Sequence, residues 1–350
     1  MSQPIHYDPE QIAIGSPSQP TDTTVRTVLF VLVPHFSMIA FSSALEPLRL
    51  ANRLSGMELY RWLVLSPDGG PAVASNGVSL NVDDGIAAHE WLSAADGSAD
   101  RVSGDIVLVC GGLGSERYWD PGLSAWLRRQ EQRCAYVGAL CTGTSLLAAA
   151  GLLDGYKCVI HWESLDGFAE TYPDINVSAD LFEVDRNRLT CGGGTAALDM
   201  ILHLIAEQRG QALATMVTEQ CLADRVRDPH DHQRLSLRAR LGVHNLNVVK
   251  AIGFMEAHLE DPISLADIAR FLGLSARQLE RLFRKHMGVP PSQYYLELRL
   301  RRARHLLRQT DLSILELAVA CGFISPSHFA KCYRELYGKT PRQERRGAQA

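Results

Sequence analysis

Arg277, Gln278 and Arg281 stand on the polar side of one short amphipathic stretch, and Ser327, His328 and Lys331 stand on another, 50 residues further on. Arginine pairs bidentately with guanine and glutamine with adenine in the major groove, so these positions suit base-edge recognition. Arg284, Lys285 and Arg301 suit phosphate contacts, which position a protein on the duplex without reading it. A different chemistry is written at Gly138-Ala139-Leu140-Cys141-Thr142-Gly143, which passes from a strand into a helix. A thiol at a helix N-terminus is acidified, and the same position favours an anion. A sharp strand-to-helix turn is also how nucleophiles are mounted. Cys110-Gly111-Gly112-Leu113 follows another strand and gives backbone N–H groups room to approach an anion. His161, in Val159-Ile160-His161-Trp162, is the histidine best spaced to serve Cys141, and it suits a capping or packing role equally well.

The elements that must position the first group are duplicated. Leu265–Pro291 and Ile314–Pro341 each read as an apolar helix, a glycine stop (Gly273 or Gly322), a serine cap (Ser275 or Ser325) and a second helix closing on Gly-x-x-Pro. Two helices joined by a short glycine turn are a DNA-reading motif whose second helix enters the major groove. Leu279, Leu282 and Phe283, and likewise Phe329, Cys332 and Tyr333, form the inward faces. Before the first motif, Asn247 to Leu259 places Val248, Ile252, Met255 and Leu259 on one helix face. Between the motifs, Pro291 to Arg308 reads as a long helix with Tyr295, Leu298, Ala303 and Leu306 available for packing. A rigid connector would hold two reading heads about one turn of B-DNA apart, roughly 10 bp.

Charge follows the same division. Residues 231–350 hold 20 Lys and Arg against 11 Asp and Glu, a balance of +9, while the preceding 230 residues hold 15 against 28, a balance of −13. Only the C-terminal part is suited to a polyanion. At 350 residues two domains are expected. The eight cysteines show no zinc spacing, which points to reduced thiols, and the N-terminus lacks a signal peptide's basic and apolar regions. No apolar run reaches the roughly 18 to 20 residues of a membrane span. These features predict a cytoplasmic protein that makes no use of a membrane, a metal or a cofactor.

Upstream, Arg26–Val33, Asp105–Cys110 and Cys134–Ala139 are apolar runs of the kind found in a parallel sheet buried on both faces. Helices are expected over Ala40–Arg53, Leu123–Gln132, Thr144–Ala150 and Thr195–Glu207. The alternation predicts an open, mostly parallel α/β sheet followed by an all-α double helix-turn-helix domain, with ligands at the carboxyl ends of the strands. The expected boundaries are a disordered tail over 1–24, the α/β module over 25–208, a linker over 209–245 and the DNA-binding domain over 246–346. The linker opens with a helix, and its Asp228-Pro229-His230-Asp231-His232 reads as a solvated hinge rather than a metal site. Gly192-Gly193-Gly194 resembles a phosphate loop without its Lys-Ser/Thr, so tight packing is the expected role. Trp62, Trp91, Trp119, Trp126, Trp162, Tyr60 and Tyr118 offer aromatic faces to a quaternary ammonium group, or serve as core and surface anchors.

The segment from about 246 to 346 resembles the AraC/XylS family DNA-binding domain, most closely in Phe323 to Arg345. The resemblance implies a transcription regulator that answers to a ligand held elsewhere. Residues 25–208 resemble the ThiJ/PfpI branch of the class I glutamine-amidotransferase-like fold, through Gly111-Gly112, Ala139 to Gly143, Leu146 to Gly155 and His161-Trp162. Ala44 to Arg53, His161-Trp162-Glu163 and Cys191 to Thr195 further resemble the subgroup associated with betaine, carnitine and arginine catabolism. Catalytic members carry a carboxylate near the elbow cysteine. Here Ala40 falls at that position, with Glu46 two turns on, and Thr142 stands where hydrolytic relatives often have histidine. The resemblance therefore implies a sensing pocket without turnover.

The candidate pocket comprises Glu46, Gly111, Gly112, Cys141, Thr142, His161 and Trp162. The expected function is a ligand-responsive activator of amine, betaine or amino-acid catabolic genes. Its expected partners are promoter DNA, a betaine-, carnitine- or amino-acid-like effector, RNA polymerase and a second copy of the chain. The competing expectations are a cysteine-dependent hydrolase or glyoxalase-like enzyme that also binds DNA, and a constitutive DNA-binding protein whose first module only dimerises.

Overall fold

The computed structural model describes residues 22–88 and 105–349, with side chains to residue 347. The chain divides into two compact units, Met1–Ile160 with Asp180–Asp231, and His161–Ala179 with His232–Ala350. Trp91 and most of the expected N-terminal tail, residues 1–21, lie outside the described residues. The last part of that tail is tied down: the Arg209 guanidinium, buried against Tyr60, donates to the carbonyls of Asp22 and Thr24.

The first unit is built on β1 (Arg26–Leu32), α1 (Met38–Ser55), β2 (Tyr60–Ser66), short strands β3 (Ala72–Val73), β4 (Ser79–Leu80) and β5 (Asp84–Gly85), β6 (Ile106–Cys110), α2 (Pro121–Glu131), β7 (Tyr136–Leu140), α3 (Thr144–Ala149) and β8 (Lys157–Val159). After α4 (Leu165–Thr171) and β9 (Asn176–Ser178), which belong to the second unit, it resumes with β10 (Phe182–Asp185), β11 (Arg188–Cys191), α5 (Ala196–Arg209) and α6 (Gln211–Gln220). Seven strands form one sheet in the order β10-β11-β7-β6-β1-β2-β5. Only the β10–β11 pairing within it is antiparallel. The apolar runs read from the sequence are its centre: β6 is buried throughout, and β1 is buried from Thr27 onward. Such strands lack a polar face because helices cover both sides. The expected linker starts with α6, whose Leu213, Ala214 and Val217 join the core formed by α1, α5 and the sheet.

The second unit continues with α7 (Leu237–Leu241), α8 (Leu246–Glu256), α9 (Leu265–Phe271), α10 (Ala276–Met287), α11 (Pro291–Gln309), α12 (Ile314–Ala320), α13 (Pro326–Tyr337) and α14 (Pro341–Gln349). Its two halves repeat each other down to the caps. Ser275 and Ser325 accept from the backbone of Gln278 and His328, while Gly288 and Gly338 end α10 and α13 in the left-handed region, at φ 75° and 72°. α11 belongs to both halves. Its Tyr294, Tyr295 and Leu298 enter the core around α8, α9 and α10, and its Leu300, Ala303, Leu306 and Leu307 enter the core around α12 and α13. The unit also takes in α4: Arg302 faces Asp166 and Glu170 at 3.8 and 3.7 Å, and Gln309 donates to the Glu163 carbonyl at 2.7 Å.

Candidate functional sites

In the first unit the carboxyl ends of β6, β7 and β11 meet at the Cys141 turn. Leu140 pairs with Cys110 on one side and Cys191 on the other. Cys141 then takes φ +61°, a left-handed conformation that non-glycine residues adopt only where the surroundings impose it. The surroundings here are tightly packed. A Cβ on Gly193 would lie 2.6 Å from the Cys141 Cβ, and one on Gly143 would lie 2.3 Å from the Val109 carbonyl oxygen. Thr144 Oγ1 donates to the Val159 carbonyl at 2.8 Å, fixing the start of α3. Burial pushes the neighbouring Cys110 and Cys191 thiols up, Cys191 to about 12, so both are neutral packing groups at neutral pH.

The glycine loop after β6 departs from its expected role. The Gly111 N–H is used by the Leu140 carbonyl at 3.2 Å and the Gly112 N–H by Ser115 Oγ at 2.8 Å, so neither donor is open to an anion. Close packing explains the glycines instead. A Cβ on Gly111 would lie 2.2 Å from the Gly143 nitrogen, and one on Gly112 would lie 2.0 Å from the His35 carbonyl. Thr142 joins this arrangement by donating its hydroxyl to the Gly112 carbonyl.

Among carboxylates, Glu46 sits on the exposed side of α1, paired with Arg49 at 2.6 Å. It lines a groove of about 400 Å³ with Arg53, Leu198, Gln220 and Cys221, in which no residue of the Cys141 turn takes part. Ala40, by contrast, is fully buried in the core cluster that contains Cys141. Sequence reasoning passed over Glu116. It lies on the 3-10 turn Ser115–Arg117, which packs against the 3-10 turn Cys141–Gly143, and burial raises its carboxyl pKa. An acidic residue in the loop following Gly111-Gly112 is the signal that would have found it.

His161 and Trp162 belong to the second unit, whereas Cys141 belongs to the first. Burial lowers the His161 pKa, and its Nδ1 accepts from the Glu163 N–H at 3.4 Å. The Trp162 ring already holds a cation, the Arg234 guanidinium 4.5 Å from its centroid. Of the other expected aromatic faces, Trp126 and Tyr60 are buried in the core, while Trp119 stands 66% exposed beside the Glu116 turn.

The DNA-facing residues lie on the outer surfaces of α10, α11 and α13. Arg277, Gln278, Arg281, Arg284, Lys285, Arg301, Ser327, His328 and Lys331 are all exposed, and Leu279, Phe283, Phe329, Cys332 and Tyr333 are buried behind them. Three of the exposed cations have local acidic partners: Arg284 with Glu280, Arg301 with Glu297 and Lys331 with Glu335. Gln278 has a second duty, because its Oε1 accepts from the Ser275 N–H at 2.8 Å in a capping box. Bidentate pairing with adenine requires that oxygen, so base reading by Gln278 would open the cap. His328 Nε2 lies 3.3 Å from the Cys332 thiol.

A doubly covered α/β sheet joined to paired helix-turn-helix motifs with basic outer faces defines a DNA-binding transcription regulator with a second, α/β domain. Comparison with known proteins agrees. The DJ-1/PfpI family profile matches residues 26–207, and a helix-turn-helix domain profile matches residues 268–347. The chain is 45% identical over 328 residues to the HTH-type transcriptional regulator GbdR of Pseudomonas aeruginosa, covering 94% of this chain and 86% of GbdR. It is 46% identical over 317 residues to the regulator CdhR of the same species, covering 90% of each. To the regulator GlxA of Rhizobium meliloti it is 38% identical over 323 residues, 92% of this chain and 96% of GlxA. The chain belongs to the AraC-type transcription regulators that carry a DJ-1/PfpI domain. Among the described residues no helix is long and apolar enough to cross a membrane.

Proposed function

We propose that this regulator is a cytoplasmic, homodimeric activator of amine, betaine or amino-acid catabolic genes. A betaine-, carnitine- or amino-acid-like effector binds the α/β domain, residues 25–208, near Cys141. Residues 209–245 link that domain to the DNA-binding domain, residues 246–346, which holds promoter DNA for RNA polymerase. Effector binding shifts the protein toward its activating arrangement by the difference in effector affinity between the two states. The observation that carries the sensing reading is Ala40. It is fully buried in the core around Cys141, and the resemblance to the ThiJ/PfpI branch puts it where catalytic members carry a carboxylate. Without that group, proton transfer at Cys141 lacks its partner. The names of GbdR, CdhR and GlxA, all transcriptional regulators, support a regulatory role over turnover.

A second reading, a cysteine-dependent enzyme that also binds DNA, is favoured by one observation. Glu116, its carboxyl pKa raised, sits on the turn packed against Cys141–Gly143. Cys141→Ser separates the two. The regulator keeps its effector-dependent transcription, and the effector still raises the melting temperature of the full chain. Loss of the transcriptional response in Cys141→Ser, together with effector consumption by the wild type and not by Glu116→Gln, would establish the enzyme instead.

A further inference from the structure

Ile324 is 104% exposed, as open as an isoleucine side chain can be, and it stands at the mouth of the second reading head. It immediately precedes Ser325, the cap of α13, three residues before Ser327. The residues around it are held firmly. Phe323 is buried in the core around α12 and α13, and its N–H bonds to the Ala318 carbonyl at 2.7 Å. The Arg299 guanidinium lies 4.1 Å from the Phe323 ring centroid and donates to the Cys321 and Gly322 carbonyls at 2.8 and 2.6 Å. A large apolar side chain is therefore displayed on a rigid turn while contributing nothing to the core. The motif does not impose this exposure, because the corresponding residue of the first head, Leu274, is half-buried.

In helix-turn-helix proteins the N-terminal end of the second helix meets the base edges, and the thymine methyl group is the apolar feature of the major groove. We infer that Ile324 reads a thymine methyl at the entrance to α13. The two heads then differ in chemistry. Arg277 and Arg281 of the first head, both exposed, suit hydrogen-bonded guanine readout. The second head adds apolar contact to the polar reach of Ser327, His328 and Lys331. This inference rests on the reading of the protein as a sequence-specific DNA binder, and its test separates the two.

The full-length protein is used to select binding duplexes from a random pool. In a selected duplex each thymine is then replaced in turn by deoxyuridine, which removes one methyl group and leaves the hydrogen-bonding edges intact. At one position the wild type should lose about fourfold in affinity, the factor expected for burying one methyl. Ile324→Ala should bind the thymine and uracil duplexes equally at that position while keeping wild-type affinity for random duplex, which reports an intact fold. Wild-type indifference to uracil at every thymine would overturn the inference. So would an unchanged thymine-over-uracil ratio in Ile324→Ala. If Ile324→Ala binds the selected duplex like the wild type but fails to activate transcription, Ile324 belongs with the exposed Leu315 and Val319 of α12 to a protein-binding surface, and the inference again falls. Failure to enrich any sequence from the pool would instead overturn sequence-specific binding itself.

Discussion

Replacing Glu344 with glutamine should loosen the last helix of the second reading head, with a pH signature that identifies the cause. Glu344 lies in the first turn of α14 and its side chain is 2% exposed. It is surrounded by cations: Arg308 at 2.5 Å, Lys339 at 2.9 Å and Arg304 at 3.2 Å. Hydrogen bonds and charge from these three outweigh the opposing effect of burial and bring the carboxyl from 4.5 to about 2. A depression of that size corresponds to about 3 kcal/mol favouring the ionised carboxylate in the folded state. The three cations are between about a third and a half exposed, so water screens part of this, and roughly 1.5 kcal/mol is expected to survive. Because the folded pKa lies below the unfolded one, the contribution is fully present above about pH 4.5 and is lost as pH falls toward 2. Urea unfolding of the full chain, with hydrogen exchange followed in α11 and α14, should show Glu344→Gln less stable by about 1.5 kcal/mol at pH 7. The gap should stay constant down to about pH 5 and narrow below pH 4.5. A variant indistinguishable from wild type at pH 7, or a gap that widens on acidification, would refute the argument.

Two further expectations concern the two sites separately. Gly193→Ala must adopt φ +81° with its new Cβ 2.6 Å from the Cys141 Cβ. A loss of about 2–4 kcal/mol is expected from backbone strain and overpacking together. Gly194→Ala, at φ +56° with open space around it, should lose only the backbone part, and calorimetry of the two variants tests the difference. On the DNA side, Arg277→Ala should relax preference at one base position and cost about 1–3 kcal/mol. Arg301→Ala should weaken all sequences alike and flatten the dependence of affinity on salt; identical behaviour of the two variants would contradict their separate roles.

How much of this was legible depends on the range of the interactions involved. The double motif could be read because its caps, glycine stops and apolar faces are local. The connector's Tyr295, Leu298, Ala303 and Leu306 are buried as the helical period requires. β1, β6 and β7 were legible as unbroken apolar runs. β2 is less plain, because the exposed Arg61 interrupts its apolar run. β11 is hidden by Arg188, a buried cation that donates to the Leu152 carbonyl and pairs with Glu131 from distant parts of the chain. The same limit applies at the sites. Spacing located Cys141 and the glycines near it, but not that Ser115 and Leu140 take the N–H groups of Gly112 and Gly111. Nor could periodicity place residues 161–179 with the second unit, since Arg302 and Gln309 hold that segment from more than a hundred residues away.

A strained cysteine needs a physical reason to persist in the fold. Left-handed φ at a non-glycine residue costs on the order of 1–3 kcal/mol, and the surrounding structure must offset it. At Cys141 the constraint comes from β6, β7 and β11 converging on one turn, with Gly143 and Gly193 stripped of side chains to let the backbones meet. The strain therefore belongs to the turn's backbone and does not require a reacting thiol. Glycine at position 141 would adopt φ +61° without that steric cost, giving up the contacts of a small side chain. Cys141→Gly should accordingly fall within about 1 kcal/mol of wild-type stability, whereas Cys141→Val, branched at Cβ, should lose at least about 2 kcal/mol. Thermal melts of the full chain measure both. If Cys141→Gly unfolds as readily as the valine variant, the thiol itself holds the turn together, and the separation of backbone shape from side-chain chemistry is wrong.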